Sequence, residues 1–185
     1  MANETQLTTG KVRFSFLHAF EPAPNKTGQL KYSATILIPK SDKATLQKMQ
    51  TAAQAARDNF LAKRGKKIPI PKGSAVPGLP TVWDGDGERP NGEPFGPECA
   101  GHYVVTVSSN RKPLIVYSDK TEITAEEELY SGCYGKVIIN AFGYANESVG
   151  VTFGLNGIMK LEDGEPIGGV VIKDTDWDSD FDEII

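Results

Sequence analysis

Cysteine and histidine are scarce, with two of each in 185 residues. Cys99 and Cys133 do not form a CxxC pair, and two cysteines build neither a disulfide framework nor a four-ligand zinc site. Both therefore read as reduced and buried. His18 and His102 lack HxxxH spacing and a neighbouring Cys/Asp cluster, and neither a GxxxxGK phosphate loop nor a GxSxG elbow occurs. No apolar run approaches the ~18 residues of a membrane span. The opening MANETQLTTG has no basic stretch followed by an apolar one. These absences exclude the common zinc, nucleotide-hydrolase, serine-hydrolase and membrane classes. The expectation is a cytosolic protein that is not an enzyme and needs no metal or other cofactor.

Two acidic stretches resemble ion sites and fail on spacing. Asp174, Asp176 and Asp178 mimic the opening of an EF-hand, but its sixth position is Ser179 and its twelfth Ile185. Asp84, Asp86 and Glu88 would supply carboxylates for a metal nuclease, yet WDGDGERPNGEPF fits tight Asp-Gly turns better.

Glycine and proline are plentiful, at 19 and 12, which favours turns and strands over a helical bundle. Charge is segregated. The formal net charge is −4, but residues 1–72 carry 13 Lys/Arg against 4 Asp/Glu, while residues 174–185 carry 6 acids and no base. Without that last segment the balance is +2, so the overall sign conceals a cationic first third.

GKVRFSFLHAF alternates Val12, Phe14 and Phe16 with Lys11, Arg13 and Ser15, the period of a half-buried strand; this assigns Phe14 and Phe16 to the core. KYSATILIP repeats the pattern, and EPAPNKTGQ between them supplies hairpin residues. From Ser41, a candidate N-cap, helical spacing places Leu46, Met49, Ala53 and Phe60 on one side, with Gly65 ending the helix. Residues 65–100 then form a long Pro/Gly-rich loop, either a functional arm or a mobile connection. Strands follow at HYVVTVSS, PLIVY, GKVIINAFGYAN and GVTFGLNGIMKL, and TAEEELY reads as a short helix because Thr124 and Glu127 have capping-box spacing. The predicted fold is mainly β: an OB-fold, a five- to six-stranded antiparallel barrel with one long inserted helix.

Single-strand binders combine cations that track phosphates with aromatics on which bases stack. Four groups of residues suit that chemistry. Lys11, Arg13, Lys31 and Tyr32 lie on the first two strands; Tyr32 shares a face with Ile36, yet its hydroxyl also suits a barrel rim. Lys63, Arg64, Lys66 and Lys67 sit at the helix end, where cations also meet the helix dipole. Arg111 and Lys112 occupy a turn near Tyr117, and Lys136 lies near Tyr134 on a later strand whose facing is ambiguous. Each group has an ordinary reading as solvated charge.

The blocks FSFLHAFEP, KYSATILIPK, DGDG, PECAGHYVVTVSSNRKP, LYSGCYGKVIINAFGY and GVTFGLNGIMKLEDGEPIGG occur in an order that resembles a tailed-phage family of single-stranded-DNA-binding proteins. The resemblance spans roughly residues 10–170. It implies an OB-fold that binds single-stranded DNA without strong sequence preference, in phage replication or recombination in the host cytoplasm. Residues 1–173 would form the binding domain. The segment 174–185, with Asp176, Trp177, Asp178, Asp180, Phe181, Asp182, Glu183, Ile184 and Ile185, resembles the partner-docking tails of bacterial and phage single-strand-binding proteins. Its partners would be phage or host replication and recombination proteins; a plain solubilising end is the simpler reading. A homodimer is compatible with the sequence. The competing class is a β-barrel virion or scaffolding protein that binds only protein.

Overall fold

The computed structural model describes residues 4–145 and 148–167. The acidic segment 174–185 and its partner-binding residues lie outside them, as does the expected boundary at residue 173.

The alternating sequences form the long strands. These are β1 (Gln6–Thr8), β2 (Val12–Pro24), β3 (Leu30–Pro39), β4 (Trp83–Asp84), β5 (His102–Ser109), β6 (Leu114–Val116), β7 (Tyr134–Ala145) and β8 (Val149–Glu162), with one helix, α1 (Lys43–Arg64), after β3. Pairing runs β2–β3–β5–β8–β7 and returns from β7 to β2, so five strands close a barrel. One seam departs from the all-antiparallel expectation: β8 runs parallel to β5, with Ser108 opposite Gly154. Strand β1 extends the β7 edge beyond β2, and β6 extends the β8 edge beyond β5. The inward faces of all five barrel strands, with Phe14, Ile36, Val105, Ile139 and Phe153 among them, share one core with the helix. Strand β7 packs tightly between β8 and β2 at Gly135, where a Cβ would lie 2.1 Å from the Met159 carbonyl oxygen and 2.9 Å from the Phe14 ring.

Strand β2 changes face midway. Phe14 is fully buried, as alternation predicts, but Phe16 is 59% exposed and the core expectation for it is wrong. The cause is a bulge. Ser15 faces Thr35 and His18 faces Ser33, so three steps on β2 span two on β3. Phe16 takes a left-handed backbone, φ 44°, and turns outward.

The helix begins one residue later than expected. Asp42, not Ser41, caps it, accepting from the Thr45 amide at 3.1 Å and the Thr45 hydroxyl at 2.7 Å. Gly65 ends it at φ 64°, its amide donating to the Leu61 carbonyl. Leu46, Met49, Ala53 and Phe60 are all buried, as their spacing predicts. The TAEEELY segment forms only a 3₁₀ turn at Glu126–Glu128 with no side-chain cap, so the capping-box helix is not made. A longer helix would carry Leu129 and Tyr130 away from the core on which they pack.

Residues 65–101 are a packed strap. Ile68, Val76, Leu79 and Val82 enter the barrel core. Arg57 of α1, itself buried, donates to the Gly78 carbonyl, and Gln50 donates to the Pro77 carbonyl at 2.9 Å. Burial lowers the Arg57 pKa from its ordinary value. The DGDG motif makes the expected turns: the Gly87 amide donates to the Asp84 carbonyl, and the Asp86 amide to Asp84 Oδ1. Lys40 clamps them, with Nζ 2.6 Å from Asp84 and 2.7 Å from Asp86. The hydrogen bonds that Lys40 donates to these carboxylates push its own pKa up and hold both aspartates below the usual range. Cys99 and Cys133 are free and buried, and burial pushes both thiols up.

Two outcomes follow from this packing. Phe14→Ala should lower the unfolding free energy in urea by about 3–5 kcal/mol, the transfer and cavity cost of a buried Phe. The carboxylates with depressed folded pKa values contribute stability above the unfolded value of about 4 and lose it as pH falls further. Lys40, with a raised pKa, keeps its charge throughout that window. Scanning calorimetry between pH 7 and pH 2 should show a falling thermal midpoint, with the fall smaller in Lys40→Met.

Candidate nucleic-acid interface

The outward faces of β2, β3 and β5 carry hydroxyl and small apolar side chains. Ser15, Thr35, Leu37, Val104 and Thr106 form the floor of a groove of about 710 Å³, and the Thr35 and Thr106 hydroxyls lie 3.0 Å apart. The strap supplies one wall. Its short strand β4 pairs with β5, Trp83 opposite Val104, which fixes the Trp83 backbone beside the groove. A second turn, bridged between Glu88 and Pro94, brings Arg89 and Phe95 to the same wall. Leu37, Cys99 and Val104 pack beneath Phe95 as a small satellite core.

Three aromatics and two cations face this groove. Phe16 comes from the β2 bulge; Trp83, 40% exposed, and Phe95 come from the strap. Lys26 comes from the β2–β3 hairpin tip, where Asn25 Oδ1 accepts the amides of Thr27 and Gln29, both at 3.0 Å. Arg89 lies 5.0 Å from the Phe95 ring centroid, so its guanidinium is held against an aromatic face. Farther round the barrel Phe142 is exposed, opposite the groove residue Thr152. Lys72 lies beside Trp83 in an adjoining hollow.

None of the twelve residues singled out in the sequence for DNA lines this groove. Lys11 and Arg13 flank the Tyr134 ring at 5.1 and 5.4 Å. Lys11 pairs with Glu162, and Arg13 donates to the carbonyls of Gly132 at 3.0 Å and Glu165 at 2.6 Å. Arg13 thereby ties β2 to the chain before β7 and to the chain after β8, and Lys11 ties the residue before β2 to the end of β8. Lys31 faces Ala23 across the hairpin, and Tyr32 faces Ser109 on β5; both are half-buried. Arg111 and Lys112 are exposed between β5 and β6, with Lys112 5.3 Å from the Phe20 ring, whereas Tyr117 packs on the core. Lys63, Arg64, Lys66 and Lys67 are exposed around the end of α1, Arg64 stacking on Phe60. Lys67 also lines a second hollow, of about 620 Å³, with Arg57, Leu61 and Ile70. Lys136 is exposed on the outer face of β7 near Leu114 and Ile138.

The residues that the sequence reading missed lie in its loops. Trp83, Arg89 and Phe95 belong to the Pro/Gly-rich stretch, whose length was its functional signal, and Lys26 sits at a hairpin tip. Among the described residues no cluster of three or more His, Cys, Asp or Glu could hold a metal ion, and no helix is long and apolar enough to cross a membrane.

Comparison with known proteins places this architecture. The fold is similar to the single-stranded DNA-binding protein from bacteriophage Enc34 in complex with ssDNA, with a TM-score of 0.74 and 23% identity, covering 89% of this chain and 90% of that one. It is also similar to gp2.5, a single-stranded DNA-binding protein encoded by bacteriophage T7, with a TM-score of 0.52 and 13% identity over 95% and 93% of the two chains. A curated relative, putative protein p50 of Acyrthosiphon pisum secondary endosymbiont phage 1, is 26% identical over 166 residues, 89% of this chain and 87% of its own. Residues 5–184 match the family model described as Enterobacter phage Enc34, ssDNA-binding protein, and the chain belongs to that family.

Proposed function

We propose that the protein binds single-stranded DNA without strong sequence preference in the groove over β2, β3 and β5. It coats and protects the strand during phage replication or recombination in the host cytoplasm, with no catalytic step. The carrying observation is the convergence of Phe16, Trp83 and Phe95 with Lys26 and Arg89 over a hydroxyl-lined floor. Aromatic faces accept any base, and cations follow the phosphates. A structural relative in complex with ssDNA supports this reading. The half-buried Lys31 and the exposed cations Arg111, Lys112, Lys63, Arg64, Lys66, Lys67 and Lys136 extend the positive surface along which a longer strand runs. Residues 1–173 act as the binding domain and residues 174–185 as an acidic arm that recruits replication or recombination partners.

Titrating a labelled oligo-dT should show preference for single strand over duplex and an affinity that falls with salt. Lys26→Ala with Arg89→Ala should weaken binding and reduce the log–log salt slope by about 0.7 per lost phosphate contact. Trp83→Ala should remove about 1–3 kcal/mol with the slope unchanged. Lys11→Ala with Arg13→Ala should lower the melting temperature more than the affinity, because both side chains are held in intramolecular contacts. Equal affinity for duplex, or a flat salt response, sinks the reading and leaves a barrel that binds only protein.

The acidic arm generates a separate outcome. A tethered polyanion competes with DNA phosphates at high effective concentration. Deleting residues 174–185, which removes six acids, should tighten oligo-dT binding most at low salt, where screening is weak. It should also abolish capture of replication or recombination partners. Unchanged affinity across the salt range would refute the competition.

A further inference from the structure

We propose that the left-handed backbone at Phe16 is a binding device: the bulge in β2 places one residue in an unfavourable conformation in order to bring an aromatic ring from the barrel core into the groove. This rests on the reading of the groove as a single-strand site. For an L-residue the left-handed region is costly, and it is rarer still for a bulky side chain. Among the described residues Phe16 and Lys120 are the two non-glycines with positive φ, and Lys120 sits in an exposed turn. Phe16 instead interrupts a long strand at the groove wall.

Regular alternation would have buried Phe16 beside Phe14 and gained its transfer free energy. The bulge instead leaves the ring of Phe16 in solvent, 59% exposed, while Ser15 keeps its place beside Thr35 on the groove floor. The loss of that burial disfavours the fold. The neighbouring chain holds the arrangement in place: the Leu17 amide donates to Ser131 Oγ at 3.1 Å, the Gly132 amide to the Phe14 carbonyl at 2.7 Å, and the Phe14 amide to the Cys133 carbonyl at 3.0 Å. A conformation that lowers stability and is pinned from outside marks a functional position. With Trp83 on the opposite strap, Phe16 supplies a stacking face on the barrel side of the groove.

The test compares Phe16→Gly, Phe16→Ala and Phe16→Tyr in the full chain, reading the thermal midpoint and oligo-dT affinity of each. Gly and Ala both remove the ring but differ in their tolerance of positive φ. The Gly variant should melt above the Ala variant, by about 2–4 °C per kcal/mol of relieved strain, which reverses their usual order in a strand. Both should lose roughly 5- to 150-fold in affinity, the loss of one stacked base, with the salt slope unchanged. Phe16→Tyr should retain wild-type affinity. If the Ala variant is as stable as the Gly variant, the backbone is not strained there and the proposal fails. If wild type binds oligo-dT and both ring-less variants bind equally well, Phe16 is not a stacking residue and the proposal fails while the groove reading stands. If wild type does not bind, it is the groove reading that has failed.

Discussion

Closure of the barrel at β2 is the constraint on which the rest depends. This strand pairs with β7 through Val12 and Arg13, and with β3 along most of its length. Beside this seam the Met159 carbonyl of β8 and the Phe14 ring of β2 together occupy the space that a side chain at Gly135 would need, so β7 fits between its two neighbours because that residue has no Cβ. Past the seam β2 must leave β7 and follow β3. The bulge at Ser15 and Phe16 marks that change of partner, and bulges bend strands and increase their twist. Barrel closure and aromatic display thus arise within three consecutive residues.

Closing five strands into a ring fills the interior and leaves the outer face of β2, β3 and β5 to be dealt with. Leu37 and Val104 point outward there, and solvent exposure of both would be unfavourable. The strap covers part of that face with Phe95 and Cys99 and leaves Thr106 exposed beside the buried Thr35. Its rigidity comes from elsewhere. Ile68, Val76, Leu79 and Val82 anchor it in the main core, Arg57 pins its middle, and Lys40 locks the turn after Trp83. The helix supports the groove at a distance, by holding the chain that forms its wall.

Much of this fold was legible in the sequence because period-two and helical patterns are local. Leu46, Met49, Ala53 and Phe60 declared the buried helix face, and KYSATILIP declared a strand whose inward Ala34, Ile36 and Ile38 are all buried. Phe16 was misread because alternation assumes a regular pleat, and no local signal in FSFLH announces an inserted residue. The Thr124–Glu127 spacing failed because burial of Leu129 and Tyr130 outweighs a cap of about 1 kcal/mol. The groove residues escaped notice for a different reason: Lys26, Trp83, Arg89 and Phe95 are separated by up to 69 positions and meet only because the strap folds back on β5. Spacing within one strand could not reveal them.

Charge is sorted by the same long-range geometry. Lys40 faces two aspartates, Lys11 faces Glu162, and Lys160, buried near the foot of β8, lies 2.6 Å from Asp163 and 5.5 Å from the Tyr130 ring centroid. Burial alone would lower the Lys160 pKa, but the hydrogen bond and charge of Asp163 outweigh it and raise it. These cations stabilise connections within the fold, and their fields are largely neutralised at short range. Lys26 and Arg89 make no ion pair among the described residues, and both stand at the groove. A count of basic residues along the chain treats all of them alike. The surface that attracts a polyanion is set by the cations left without carboxylate partners, which is why an acidic chain can present a cationic groove.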